Sequence, residues 1–223
     1  MGDADAAPRL TPKGRATRER IVAAAAELIF RHGVAGTSID DVRRAAGVSG
    51  SQMTHYFADK HSLIRAVIAW QADTVIGLHQ QPTLNGLASF ESLELWAELN
   101  IARQREASCA GGCRFGSLAG ELAETDPETR ADLAAGFARW EELFRNGLRA
   151  MRDRGDLRPD ADPDELAAGL LAALQGGMLL TQTTRDIRYV EAALKTALDH
   201  VRSYATGDAA RTAGPGAAAA GAA

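Results

Sequence analysis

Residues 37–57 read TSIDDVRRAAGVSGSQMTHYF, and this stretch decides the fold. Thr37 or Ser38 is placed to cap a short helix carrying Ile39, Val42 and Ala46. Asp40 and Asp41 fall in its first turn, where the positive end of the helix dipole favours acids. Gly47 breaks that helix, Ser49 caps the next, and Tyr56-Phe57 ends it. Two short helices joined at Ala46-Gly47-Val48 match a helix-turn-helix. Gly47 permits the sharp turn, Val48 packs the pair together, and the second helix is free to enter a DNA major groove about 12 Å wide. Ordinary helical corners share this pattern, so the flanking residues must carry the rest of the argument.

Upstream, Ile21, Val22, Ala25, Leu28 and Ile29 make one stripe of a helix that His32-Gly33 closes. Downstream, Asp59 caps a longer helix with Leu63, Ile64, Val67, Ile68 and Val75 inward, running to about residue 80. Pro82 to Ser89 reads as a linker. A helix over 90–107 follows, then a glycine-rich break at 109–113 and a short helix to Glu124. Asp126-Pro127 opens a helix whose apolar residues Leu133, Phe137, Trp140, Phe144, Leu148 and Met151 step by three or four. Two more helices, about 163–184 and 187–204, complete an all-α chain of nine helices. The expected domains are a flexible arm at 1–14, a three-helix DNA-reading domain with its connecting helix at 15–80 (motif about 38–57), a helical ligand-binding and dimerising domain at 86–205, and a low-complexity tail at 206–223.

Net charge is −4, which taken alone argues against nucleic acid. Its distribution argues the other way: residues 1–65 hold ten cations and seven acids, a net of +3, and the remainder nets −7. A small DNA-binding module on an acidic body has that asymmetry. Two cysteines are too few for a disulfide framework, and the N-terminus lacks the apolar core of a secretory signal. No run approaches the ~18 apolar residues of a membrane span. The expectation is a cytoplasmic protein without a membrane partner.

The stretch from Arg18 to Val67 closely resembles the N-terminal domain of the TetR family of bacterial repressors. The resemblance is carried by the I-x-x-A-A-x-x-L stripe before Gly33, by Thr37 to Val42, by A-A-G-V-S at 45–49, by Tyr56-Phe57, and by Lys60 through Leu63. It implies a regulator whose partners are double-stranded operator DNA, a second copy of itself and a small-molecule effector, with no cofactor. Gly50, Ser51, Gln52, Thr54 and His55, on the exposed part of the reading helix, are the candidates for base edges; Gln52 has the groups to pair with adenine. Thr37, Ser38, Arg43, Arg44, Tyr56 and Lys60 are candidates for phosphate contacts. Flanking Arg15 and Arg18 add positive charge. The reading helix departs from the family pattern at Gly50, often Lys or Arg, and at Thr54, often Tyr.

In the body, Leu170, Leu174 and Gly177 on one helix and Leu194, Leu198 and Val201 on the next are the candidate dimer interface, with Gly177 allowing close helix approach. Trp96, Asn100 and Arg103 fall at i, i+4 and i+7. With Phe115, Phe137, Trp140, Gln175 and Met178 they are the candidate effector pocket, apolar with a few polar groups. Cys109 and Cys113, beside Arg114 and a helix N-terminus, raise a second reading as a thiol-switched redox or electrophile sensor. A third is a helical ligand-binding protein without specific DNA binding. No metal-ligand cluster is expected, and no Ser/His/Asp constellation or phosphate loop appears, so an enzyme is not expected.

Overall fold

The computed structural model describes residues 10–207. Most of the expected arm (1–9) and tail (208–223) lies outside the described residues. Among the described residues nine α-helices run in order: α1 Pro12–His32, α2 Ile39–Ala46, α3 Gly50–Tyr56, α4 Lys60–His79, α5 Phe90–Glu106, α6 Arg114–Leu122, α7 Pro127–Asp153, α8 Pro163–Thr184 and α9 Arg188–Arg202. Among the described residues the only β-type pairing is an isolated bridge between Leu157 and Ala205. The all-α architecture is as expected.

Helix boundaries follow local chemistry. Thr11 caps α1 and Pro12 occupies its first turn, so the helix starts three residues before the expected position. Ser38 and Asp41 form a reciprocal capping box on α2, and Ser49 and Gln52 form another on α3. Gly47 ends α2 in the left-handed conformation, φ 62° and ψ 42°, where an L side chain is strained. The expected linker at 82–89 is a 3-10 turn over Pro82–Leu87 that buries Leu84 and Leu87.

The chain divides into two compact units. The first comprises residues 1–71 and 118–133, the second 72–117 and 134–223. The first thus includes the end of α6 and the start of α7, which the sequence reading had assigned to the body. In this unit Ile21, Val22, Ala25 and Ile29 on α1 are buried, as are Val42, Met53, Leu63 and Val67 on α2, α3 and α4 and Phe57 at the end of α3. Arg20 Nε donates to Ala46 O at 2.9 Å, tying α1 to the end of α2.

In the second unit α8 and α9 pack through Leu166, Leu170, Leu174, Val190, Leu194 and Val201, all at most 2% exposed. Gly177 makes this possible: a Cβ there would lie 2.9 Å from Val190 Cα. Leu170, Leu174, Gly177, Leu194 and Val201, expected at a dimer interface, are therefore buried within one chain, and Leu198 is half-buried. A helical stripe marks the face a helix presents to a neighbour without saying whose neighbour it is. α8 also has the length and mean hydropathy (1.2 over 18 residues) of a membrane span, with 44% of that window buried.

Candidate nucleic-acid interface and buried core

All five base-reading candidates, Gly50, Ser51, Gln52, Thr54 and His55, are exposed on α3, whose inward residue is Met53. Three of them already have hydrogen-bond partners. Gln52 Oε1 accepts from Ser49 N at 2.9 Å, Ser51 Oγ lies 3.0 Å from Ser49 Oγ, and Thr54 Oγ1 donates to Gly50 O at 2.8 Å. Bidentate adenine reading by Gln52 requires its carbonyl oxygen, so the cap bond must first be given up. At Gly50 an added Cβ would meet nothing within 4 Å, leaving the start of α3 open to a close approach.

The phosphate candidates divide. Ser38, Arg44 and, partly, Arg43 and Tyr56 are at the surface. Thr37 is not: it is 4% exposed and its hydroxyl donates to Gly33 O at 2.8 Å, serving the α1–α2 turn instead of solvent. Lys60 is half-buried, with Nζ donating to Val34 O at 2.6 Å. Arg43 pairs with Asp40 at 2.7 Å, while Arg44 pairs with Asp41 and, at 3.3 Å, with Asp40. These bonds hold the Asp40 carboxyl below the ordinary carboxylate range; Asp41 is lowered chiefly by its bonds to Ser38, with Arg44 adding to them.

Contacts that sequence periodicity does not reveal hold the head together. Glu121 Oε1, on α6, accepts from Val34 N at 2.7 Å and Ala35 N at 3.3 Å. Arg65 on α4 bonds Asp132 at 2.5 Å and Glu128 at 2.8 Å on α7. Asp126 caps α7 by accepting from Thr129 N and Oγ1 at 2.8 and 2.6 Å, which holds its carboxyl at about 2.

In the second unit Trp96, Trp140 and Phe144 pack around His79, a residue that the sequence pattern does not single out. Its Nε2 accepts from Trp96 Nε1 at 2.8 Å and from Trp140 Nε1 at 3.1 Å, while Nδ1 lies 2.8 Å from Val75 O. This pattern fixes the neutral tautomer with the proton on Nδ1. Burial, assisted by the charge of Arg103 and opposed by the Val75 bond, lowers the His79 pKa to about 4. Phe144 packs edge-on against both His79 and Trp96, and Phe115 edge-on against Phe137.

Of the pocket candidates, Trp96, Asn100, Phe115, Trp140 and Met178 are buried, whereas Phe137 and Gln175 are half-buried. Arg103 is exposed. The buried face of α5 continues from Trp96 and Asn100 to Gln104 in steps of four, one residue beyond the arginine. Gln104 Oε1 is the one buried side-chain polar atom without a hydrogen-bond partner among the described residues.

Cys109 is buried and Cys113 partly so, both as free thiols. Burial raises the Cys113 thiol, against the weaker opposing bonds from Gly116 N at 3.3 Å and Gln175 Nε2 at 3.6 Å. A thiol switch needs the opposite shift, toward the thiolate.

A capped helix-turn-helix with an exposed second helix, joined to an independent helical unit, defines a DNA-binding regulator. The comparisons agree. Residues 21–67 match the family described as bacterial regulatory proteins, tetR family, and residues 91–197 match a tetracyclin repressor-like C-terminal domain. An HTH-type transcriptional regulator in the lacX 3′ region of Lactococcus lactis is 29% identical over 84% of this chain and 95% of its own. The HTH-type transcriptional repressor DhaR of a Mycobacterium species is 23% identical over 76% of this chain and 84% of its own. A TetR transcriptional regulator from Chloroflexus aurantiacus superposes with a TM-score of 0.73 at 25% identity, covering 87% of this chain and 98% of that one. The chain belongs to the TetR family of transcriptional regulators, whose members bind DNA and are not enzymes.

Proposed function

We propose that the protein is a homodimeric, cytoplasmic repressor that leaves its operator when a small molecule occupies the helical body. One observation carries the dimer: the outer face of α8 and α9 is apolar and uncovered. Leu179 and Leu180 are 58% and 47% exposed. An open groove of about 530 Å³ runs beside Gly169, Ala173, Ala192, Ala193, Ala197 and His200. Exposed apolar residues and an apolar groove on the same helix pair mark an interaction surface. A two-fold partner would cover it and also supply a second reading helix, about 34–36 Å from the first, for the other half-site. That role, and not a membrane, accounts for the apolar length of α8.

The body's chemistry supports the effector reading. The buried polar side chains there are neutral (His79, Ser92, Asn100, Gln104, Thr181), and His79 stands among aromatic rings. A charged ligand would find no buried counter-charge, so the fitting class is uncharged with a largely apolar body. Release follows if the ligand binds a state whose two reading helices no longer match successive grooves. Repression is the sign suggested by the likeness to DhaR.

The test combines oligomeric state with DNA binding. Light scattering should give a dimer for the wild type and a monomer for the Leu179→Glu/Leu180→Glu double variant. The wild type should bind DNA from upstream of its own gene in a gel shift, with affinity falling as salt rises. A wild-type monomer, or equal binding to unrelated DNA, would overturn the proposal.

A further inference from the structure

The peptide of Val34, in the middle of the α1–α2 turn, is held from outside the turn at both ends. Its N–H donates to Glu121 Oε1 on α6 at 2.7 Å, and the next N–H, of Ala35, reaches the same oxygen at 3.3 Å. Its carbonyl accepts from Lys60 Nζ, at the start of α4, at 2.6 Å. Within the turn, the Thr37 hydroxyl donates to Gly33 O. Glu121 thus stands beside the C-terminal end of α1, where the helix dipole disfavours an acid. Helix electrostatics therefore do not account for its place; the two N–H donors do. Four residues after Ala35, the chain enters α2, which the 47–49 turn joins to the reading helix. A group that fixes this turn fixes where α2 begins.

We propose that Glu121 is a positioning residue for DNA reading: through the α1–α2 turn it sets the pose in which α2 and α3 meet the groove. This role requires that the head bind DNA, and does not depend on the effector or the dimer proposed above. The hydrogen bonds are charge-assisted and span 87 and 86 residues of sequence, so they join the motif to a helix far from it in the chain.

The experiment uses the full chain, as wild type, Glu121→Gln and Glu121→Ala. DNA is selected by the wild type from a random pool. Affinity is read by anisotropy over a salt series, and backbone protection by amide exchange at Val34, Ala35, Met53 and Phe57. Glu121→Ala should unprotect Val34 and Ala35, leave Met53 and Phe57 protected, and weaken binding about tenfold, the scale of one charge-assisted hydrogen bond. The salt slope should not change, since no phosphate contact is lost. Glu121→Gln keeps an acceptor oxygen for both N–H groups and should stay within about threefold of wild type. Three results would overturn the proposal: unchanged affinity despite unprotected turn amides, loss of affinity only together with unprotected α3 amides, or tighter binding by both variants, which would make the carboxylate a mere repelling charge. A wild type that selects no DNA would overturn the operator reading along with it, whereas those three results strike Glu121 alone.

Discussion

Lowering the pH should destabilise the protein through His79 in a window that the structure defines. The imidazole is 5% exposed, and its one available lone pair, on Nε2, is shared by the indole N–H groups of Trp96 and Trp140. A proton on Nε2 would break both bonds and face two donors with a third, and Arg103 adds a charge of the same sign. Above pH 6.5 the ring is neutral in folded and unfolded chains, and full stability is present. Between 6.5 and about 4 only the unfolded chain takes up the proton, so stability falls by about 1.4 kcal/mol per pH unit. Below about 4 the folded ring also protonates and the loss levels off at about 3 kcal/mol. Asp126, held at about 2, loses its contribution only below the ordinary carboxylate value of 3.8, outside this window. The assay is urea unfolding at intervals from pH 7.5 to 4.5, comparing wild type with His79→Gln, which retains an acceptor but does not titrate. At pH 7.5 the variant should be less stable by about 1–2 kcal/mol, and the order should reverse at about pH 5 to 6. A gap that stays constant across the range would refute the reasoning.

Asp40→Asn should free Arg43 and half-free Arg44 for phosphate, raising affinity for all DNA sequences alike and steepening its salt dependence; anisotropy over a salt series measures both. Gln52→Ala should act twice, destabilising the fold by about 0.5–1 kcal/mol through the lost capping bond and altering preference at one base position. Chemical denaturation and binding-site selection separate the two effects. Gly177→Ala should cost about 1–3 kcal/mol in thermal or urea unfolding, because the new methyl meets the α9 backbone at Val190.

What was legible in the sequence was local. Ser38 with Asp41, Gly47, and Ser49 before α3 are punctuation within four residues, and they mark the motif and its helices. The same grammar carries two signals beyond these. Thr11-Pro12 is itself a helix-start signal, and S-x-x-Q at 49–52 is a capping box that occupies the side chain assigned to adenine. The 3-10 turn at 82–87 hid because Pro82, Asn85 and Gly86 suggest a loop, while Leu84 and Leu87 needed a tertiary partner to show their burial. Distant pairings left no trace. Glu121 looks like any surface acid on a short helix, and nothing near His79 in the chain announces indoles 17 and 61 residues away. The stripes on α8 and α9 were assigned to a dimer interface, but they are covered within the chain, and periodicity does not say whose surface covers a helix face.

The head's net charge overstates what reaches DNA. Arg20 is bound to the end of α2, Lys60 to the α1–α2 turn, Arg43 and Arg44 to the aspartates of their own helix, and Arg18 lies over the Phe57 ring at 5.2 Å. Exposed ion pairs are weak, so a phosphate can take over the α2 arginines at little cost, but Asp40 and Asp41 then remain beside it and cancel much of the attraction. The cations are accordingly better suited to orienting the head than to pulling it onto any duplex. With long-range attraction muted and α3 presenting short neutral side chains, binding depends on how closely the head fits the groove. Such a head is sensitive to its own pose, and this is why a backbone turn held by Glu121 has leverage over affinity that one more surface arginine would lack.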